Sequence, residues 1–177
     1  MAAQESRATR AREERARAEA TRKEERLVLA TKTAAINLSI MAASQIHDLH
    51  IRLRDEAWRG RVARVSASRS LLATENMLTA FPIQSLADAP AMVEFSRFPA
   101  ALATAAEVYE HLEVAVRAAK AADRETIFVE YTKQMERIDD AAALGLKALR
   151  ASLDMPEEVD VPPAQNGGAT SLPPVEI

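Results

Sequence analysis

The chain has 177 residues, 28% of them charged and 48% apolar but only 4% aromatic. That balance fits one helical domain with a thin core of small side chains. It has no cysteine and four glycines, which excludes disulfide and thiolate chemistry and leaves little backbone for a phosphate-cradling loop. The net charge of −3 is unevenly spread: residues 1–79 carry 15 Lys/Arg and 10 Asp/Glu, and residues 80–177 carry 8 and 16, so the two halves attract each other weakly.

Residues 1–26 hold eight Lys/Arg and six Glu over alanine. Glu13 with Arg17 and Glu19 with Lys23 are four apart, which supports a solvated helix by a few tenths of a kcal/mol per pair, about 0.3 each. With no large apolar residue after Met1, the segment is read as a charged extension, helical or disordered. Its charge is wrong for a signal or transit peptide, and the protein is expected to be cytoplasmic.

From Ala2 to Phe81 there is no proline and one glycine, Gly60. Residues 27–80 therefore read as one long helix. Leu38, Ala42, Ile46, Leu49, Leu53 and Ala57 form an apolar stripe, continued by Trp58, Val62, Val65 and Leu72, and a weaker face carries Ile36, Ile40 and Ala43. The window Leu27–Ile46 is the most apolar, yet Lys32, Asn37 and Gln45 make it too polar for the ~20-residue apolar run of a spanning helix. The alternative is a break at Gly60, giving four helices, 27–58, 61–80, 91–122 and 124–153. An isolated glycine costs a helix only ~1 kcal/mol and has no turn cluster beside it here, so the continuous helix is preferred.

Phe81-Pro82 ends this helix, because proline lacks an amide donor and drives its predecessor out of helical conformation. Residues 81–99 contain three of the four phenylalanines and read as a hydrophobic cap. A second helix starts at Pro90 or Pro99 and runs over about 91–122. Its apolar residues Phe95, Phe98, Leu102, Ala105, Tyr109, Leu112, Val116 and Ala119 alternate by three and four, which is a heptad seam. Asp123 reads as the N-cap of a third helix, 124–153, carrying Phe128, Tyr131, Met135, Ile138, Ala142, Gly145 and Leu149. Residues 154–177, with five of the eight prolines and no basic group, read as a disordered acidic tail.

The fold class expected is an elongated all-α antiparallel bundle or coiled coil of three helices, four if Gly60 breaks the first. A continuous first helix outruns the other two. It places the Asp123 turn beside residue 48 and leaves 27–46 uncovered, at ~1.5–3 kcal/mol for each large apolar side chain left in water. The expectation is a homo-oligomer, a dimer, joined through Ile36, Leu38, Ile40, Met41 and Ile46, with another helical protein as an alternative partner.

Chemistry-bearing residues are few. His47 and His50, three apart on one helix face, can share a metal, with Asp123 or Glu125 as a third ligand across the turn. Two ligands fall short of a site, and the reading preferred is two half-exposed histidines beside the stripe, with no metal and no cofactor. His111 is distant, and Glu107 and Glu110 lack the Glu-x-x-His spacing of di-iron bundles. Arg52, Arg54, Arg59, Arg61, Arg64 and Arg69 spread around the helix and do not form a nucleic-acid stripe. No nucleophile elbow or His-Glu-x-x-His motif is present, and no catalytic residue is assigned. The terminal Leu172–Ile177 suits strand addition to a sheet edge only weakly. The function expected is a non-enzymatic helical interaction or scaffold protein. The alternative is an amphipathic coat on a surface or granule: in composition alone, with no motif behind it, the chain resembles the phasins that coat polyester granules.

Overall fold

A computed structural model describes residues 2–59 and 67–155. Among them there is no strand. The helices are α1 (Ala2–Arg54), α2 (Glu56–Arg59), α3 (Ala67–Thr79), α4 (Ala89–Ala118) and α5 (Arg124–Ser152), with short 3-10 turns at Ile83–Leu86 and Ala121–Asp123. The four long helices pack in a ring: α1 on α5, α5 on α4, α4 on α3 and α3 on α1, with α1 and α4 touching across the middle. Cross-contacts fix α1 and α5 as antiparallel, from Lys32 beside Leu153 to Arg59 beside Glu125. This is the up-down-up-down bundle that short connections favour.

The core is a set of heptad seams. On α1 the buried positions Ala35, Ser39, Ala42, Ile46, Leu49 and Leu53 alternate by four and three. On α5, Phe128, Met135, Ala142 and Leu149 are buried at intervals of seven. On α4 the buried series Phe95, Phe98, Leu102, Ala105, Tyr109, Leu112 and Val116 follows the seam expected from its spacing. A seam of this kind stays on one side of a helix over many turns, so each helix presents a continuous strip to its neighbours. Alanine and serine on α1 let the backbones approach closely; leucine and phenylalanine elsewhere fill the wider gaps.

The connections have identifiable causes. Asp88 caps α4, its carboxylate accepting from the Ala91 amide at 3.0 Å, and Pro90 sits in the first turn, where a missing amide is harmless. Pro99 lies inside α4 and removes the donor that would serve the Phe95 carbonyl. Its neighbours Phe95, Phe98 and Leu102 are all buried, and that burial offsets the lost bond. Phe81 packs on Phe95 with ring centroids 4.8 Å apart, so the 81–99 region does cap the bundle end. α5 stops in a closed hydrogen-bonded loop. The Met155 amide donates to the Arg150 carbonyl at 3.1 Å and the Asp154 amide to that of Ala151 at 3.3 Å, with Asp154 in the left-handed region at φ 53°. This is a Schellman stop, built here on aspartate in the place where glycine is usual.

The continuous helix through residue 80 is corrected. α1 ends at Arg54, and the residue that ends it is Asp55. Its Oδ1 accepts from the Ala57 amide at 2.9 Å, and its carbonyl accepts from the amides of Trp58 and Arg59 at 3.1 and 3.0 Å. An aspartate that bonds the amides ahead of it competes with helix continuation, and here it starts α2 as an N-cap. Gly60, the breaker considered from sequence, lies at the edge of residues 60–66, outside the described residues. With α3 folded back, the centre of α1 is covered on several sides. The uncovered part moves toward the N-terminus: every residue from 12 to 30 is exposed. The acidic tail at 156–177 also lies outside the described residues.

Candidate functional site

α1 and α5 run antiparallel, and their register decides which polar groups meet. Arg59, just past the break, reaches back. Its Nε donates to the Leu53 carbonyl at 2.8 Å, and its Nη1 lies 2.8 and 2.9 Å from the two carboxylate oxygens of Glu125. Its guanidinium carbon stands 5.4 Å from the centroid of the Phe128 ring. The carbonyls at a helix C-terminus lack intrahelical donors, and a cation there also meets the negative end of the helix dipole. Arg59 thus closes the end of α1 and pins it to the start of α5. Glu125 is therefore spent on Arg59, and it is no partner of the histidines.

The histidines find Asp139 instead. His47 Nδ1 and His50 Nδ1 approach the same oxygen, Asp139 Oδ2, at 2.9 and 2.8 Å. The two imidazole rings stand edge to face with centroids 6.4 Å apart. The His47 side chain is 58% exposed, that of His50 8% and that of Asp139 15%. His50 Nε2 is buried and has no hydrogen-bond partner. The cluster thus runs from solvent at His47 to the bundle interior at His50. Its three ligand-type atoms lie within 4.8 Å of one another. The i, i+3 pair was visible in the sequence; Asp139 was not, because it stands opposite only when α1 stops at Arg54. His111 lies on the exposed side of α4, away from this cluster.

The five residues expected at an oligomer contact fall into two groups. Ile36 and Ile46 are buried in the protein's own core. Leu38, Ile40 and Met41 are half-buried, the first two packed against it. The larger exposed apolar surface is one to three turns earlier, at Leu27, Val28 and Leu29, which are 68%, 44% and 57% exposed. α1 contains one stretch that is long and apolar enough, by length and composition, to cross a membrane, and 22% of that window is buried inside the bundle. Of the arginines, Arg52, Arg54 and Arg69 are exposed and Arg59 is half-buried in its end-closing role; Arg61 and Arg64 lie outside the described residues.

One further group is perturbed. Tyr109 is fully buried at the centre of α4, 6.2 Å from Trp58 by ring centroid. Burial raises its phenol from the ordinary 10.0 to about 12, reinforced by the Glu113 carboxylate one turn on, while Arg117 and Arg52 act in the opposite sense. A neutral phenol at such a place is a structural hydrogen-bonding group.

No family model, curated protein or solved structure matches this chain.

Proposed function

We propose that the protein is a non-enzymatic helical scaffold that self-associates by laying the projecting half of α1 against a second copy. The observation that carries this reading is the run Leu27-Val28-Leu29, three consecutive large apolar side chains exposed on a helix whose other half is seamed into the core. Three successive residues span roughly 200° of a helix surface at ~100° per residue, so a wide apolar arc faces outward at this level of α1. The mixed charge beside them favours a copy over an anionic partner. Residues 12–26 carry Arg12, Arg15, Arg17, Arg22, Lys23 and Arg26 among Glu13, Glu14, Glu19, Glu24 and Glu25. A nucleic acid or acidic lipid surface meets five carboxylates there, whereas an antiparallel copy of the same segment offers both signs to both signs.

The test is the solution mass of the full chain and of the double variant Leu27→Glu/Leu29→Glu. The expected result is an integral multiple of the 19.3 kDa chain for the parent. The variant is expected to run as a monomer with unchanged helical content, since neither side chain is part of the core. A monomeric parent, or a variant of unchanged mass, overturns the proposal. A monomeric parent that is depleted from solution by neutral-lipid droplets establishes the coating alternative instead.

A further inference from the structure

The structure assigns a binding site for a divalent transition metal of the zinc class to His47, His50 and Asp139, bridging α1 and α5. The inference is independent of how the chain associates. Two observations carry it. The first is the donor set: two imidazole nitrogens and one carboxylate oxygen within 4.8 Å of one another. Imidazole with carboxylate suits zinc and its neighbours, whereas calcium and magnesium prefer all-oxygen shells. The second is convergence. Both Nδ1 atoms aim at a single oxygen, at 2.9 and 2.8 Å. Ligands 2.0–2.1 Å from a tetrahedral zinc stand about 3.3 Å apart, so a separation increase of roughly half an ångström in rotatable side chains admits the ion.

The site has the other parts that metal binding needs. His47 is open to solvent and gives the ion its entry path and a fourth position for water. His50 and Asp139 are held by the bundle on two different helices, so their separation is fixed by packing and not by a flexible loop. In the metal-free state each Nδ1 carries a proton donated to Asp139. Binding replaces these protons as donors to the carboxylate and leaves both imidazoles neutral, ligating through Nδ1 with the ring proton on Nε2. The bound ion ties the middle of α1 to the second half of α5.

The test uses the full chain, stripped with chelator and titrated with zinc chloride by calorimetry and with cobalt chloride by visible absorption. The expected result is one zinc per chain and a cobalt spectrum of four-coordinate intensity. His47→Gln is the main variant, because its exposed side chain leaves folding intact; Asp139→Asn is the second, with retained helicity checked by circular dichroism. Each is expected to weaken zinc at least tenfold and to abolish the cobalt bands, while His111→Gln binds as the parent does. Absence of binding at micromolar zinc overturns the assignment, and so does parental affinity in folded His47→Gln and Asp139→Asn proteins, which marks an adventitious ion elsewhere.

Discussion

Gly145 on α5 faces the tip of the Phe98 ring on α4: a methyl group built on Gly145 would meet Phe98 Cζ at 3.7 Å. That is ordinary van der Waals contact. The glycine is not in a left-handed conformation, and it is buried within a 29-residue helix. Nothing in its surroundings requires the missing side chain. Gly145→Ala is therefore expected to stabilise the protein by about 0.5–1 kcal/mol, by lowering the entropy of the unfolded chain and adding a contact. Gly145→Leu is expected to destabilise it, since the longer side chain must displace Phe98. Urea denaturation of the two variants checks both signs.

The opposite exchange is expected to help at Ala87. This residue ends the 3-10 turn Ile83–Leu86 at φ 54° and is exposed. A Cβ in the left-handed region costs about 1 kcal/mol, which glycine avoids. Ala87→Gly is expected to raise the urea midpoint, even though glycine in a loop normally lowers it through the unfolded state. An unchanged or lower midpoint means that residue 87 does not hold that conformation in solution.

Arg59 makes three contacts of unequal worth. Glu125 is largely exposed, so its ion pair is screened and is worth under about 0.5 kcal/mol. The bond to the Leu53 carbonyl and the position over Phe128 are partly buried and worth more. Glu125→Gln is accordingly expected to be nearly silent in thermal melts. Arg59→Met is expected to cost about 1–2 kcal/mol. Equal losses in the two variants would show that the ion pair dominates.

Ser39 occupies a fully buried place in the α1 seam, and its hydroxyl has no hydrogen-bond partner. Ser39→Ala removes an unsatisfied polar atom and supplies a better helix former. The expected gain is roughly 0.5–1.5 kcal/mol in chemical denaturation. A loss would reveal a bound water that the hydroxyl needs.

Tyr109 gives a pH signature. Its folded value, about 12, lies above the ordinary 10.0, so the native state holds the phenolic proton more tightly than the unfolded chain. The stabilisation is complete below pH 10 and is lost progressively as pH rises from 10 to 12. Comparing Tyr109→Phe with the parent across pH 9–12 isolates this group from the lysines, the arginines and Tyr131. The stability difference between the two proteins is expected to shift in favour of the phenylalanine variant over that window. A constant difference overturns the assignment.

The parts of the fold carried by local periodicity were legible from residues alone. The α4 seam from Phe95 to Val116 and the α5 seam from Phe128 to Leu149 needed only spacing. The end of α1 is not legible in the same way, because an aspartate side chain makes it and not a glycine or a proline. Asp55-Glu56 bears the same cap-plus-acid signature as Asp123-Arg124-Glu125. In the structure Asp55 uses its side chain on a backbone amide, while Asp123 makes no side-chain cap at all. That one misplaced boundary ran the last helix parallel to the first, where the structure sets α1 and α5 antiparallel. It set the Asp123 turn beside residue 48, when its neighbour Glu125 in fact meets Arg59, and it hid the opposition of His47 and His50 to Asp139. Contacts between helices depend on direction and register, and no single-helix pattern contains either.

The Schellman stop at Asp154 has a consequence for the far end of the molecule. Lys32 Nζ donates to the Leu153 carbonyl at 3.1 Å, so α5 finishes level with the residue at which α1 becomes bare. The length of the unsheltered rod is a remainder, set by where another helix halts. Lengthening α5 by one heptad would roof Val28 while leaving every residue of α1 as it is, and shortening it would uncover Ile36. How much surface this protein shows to its surroundings is thus written in its last helix, more than a hundred residues away from the surface itself.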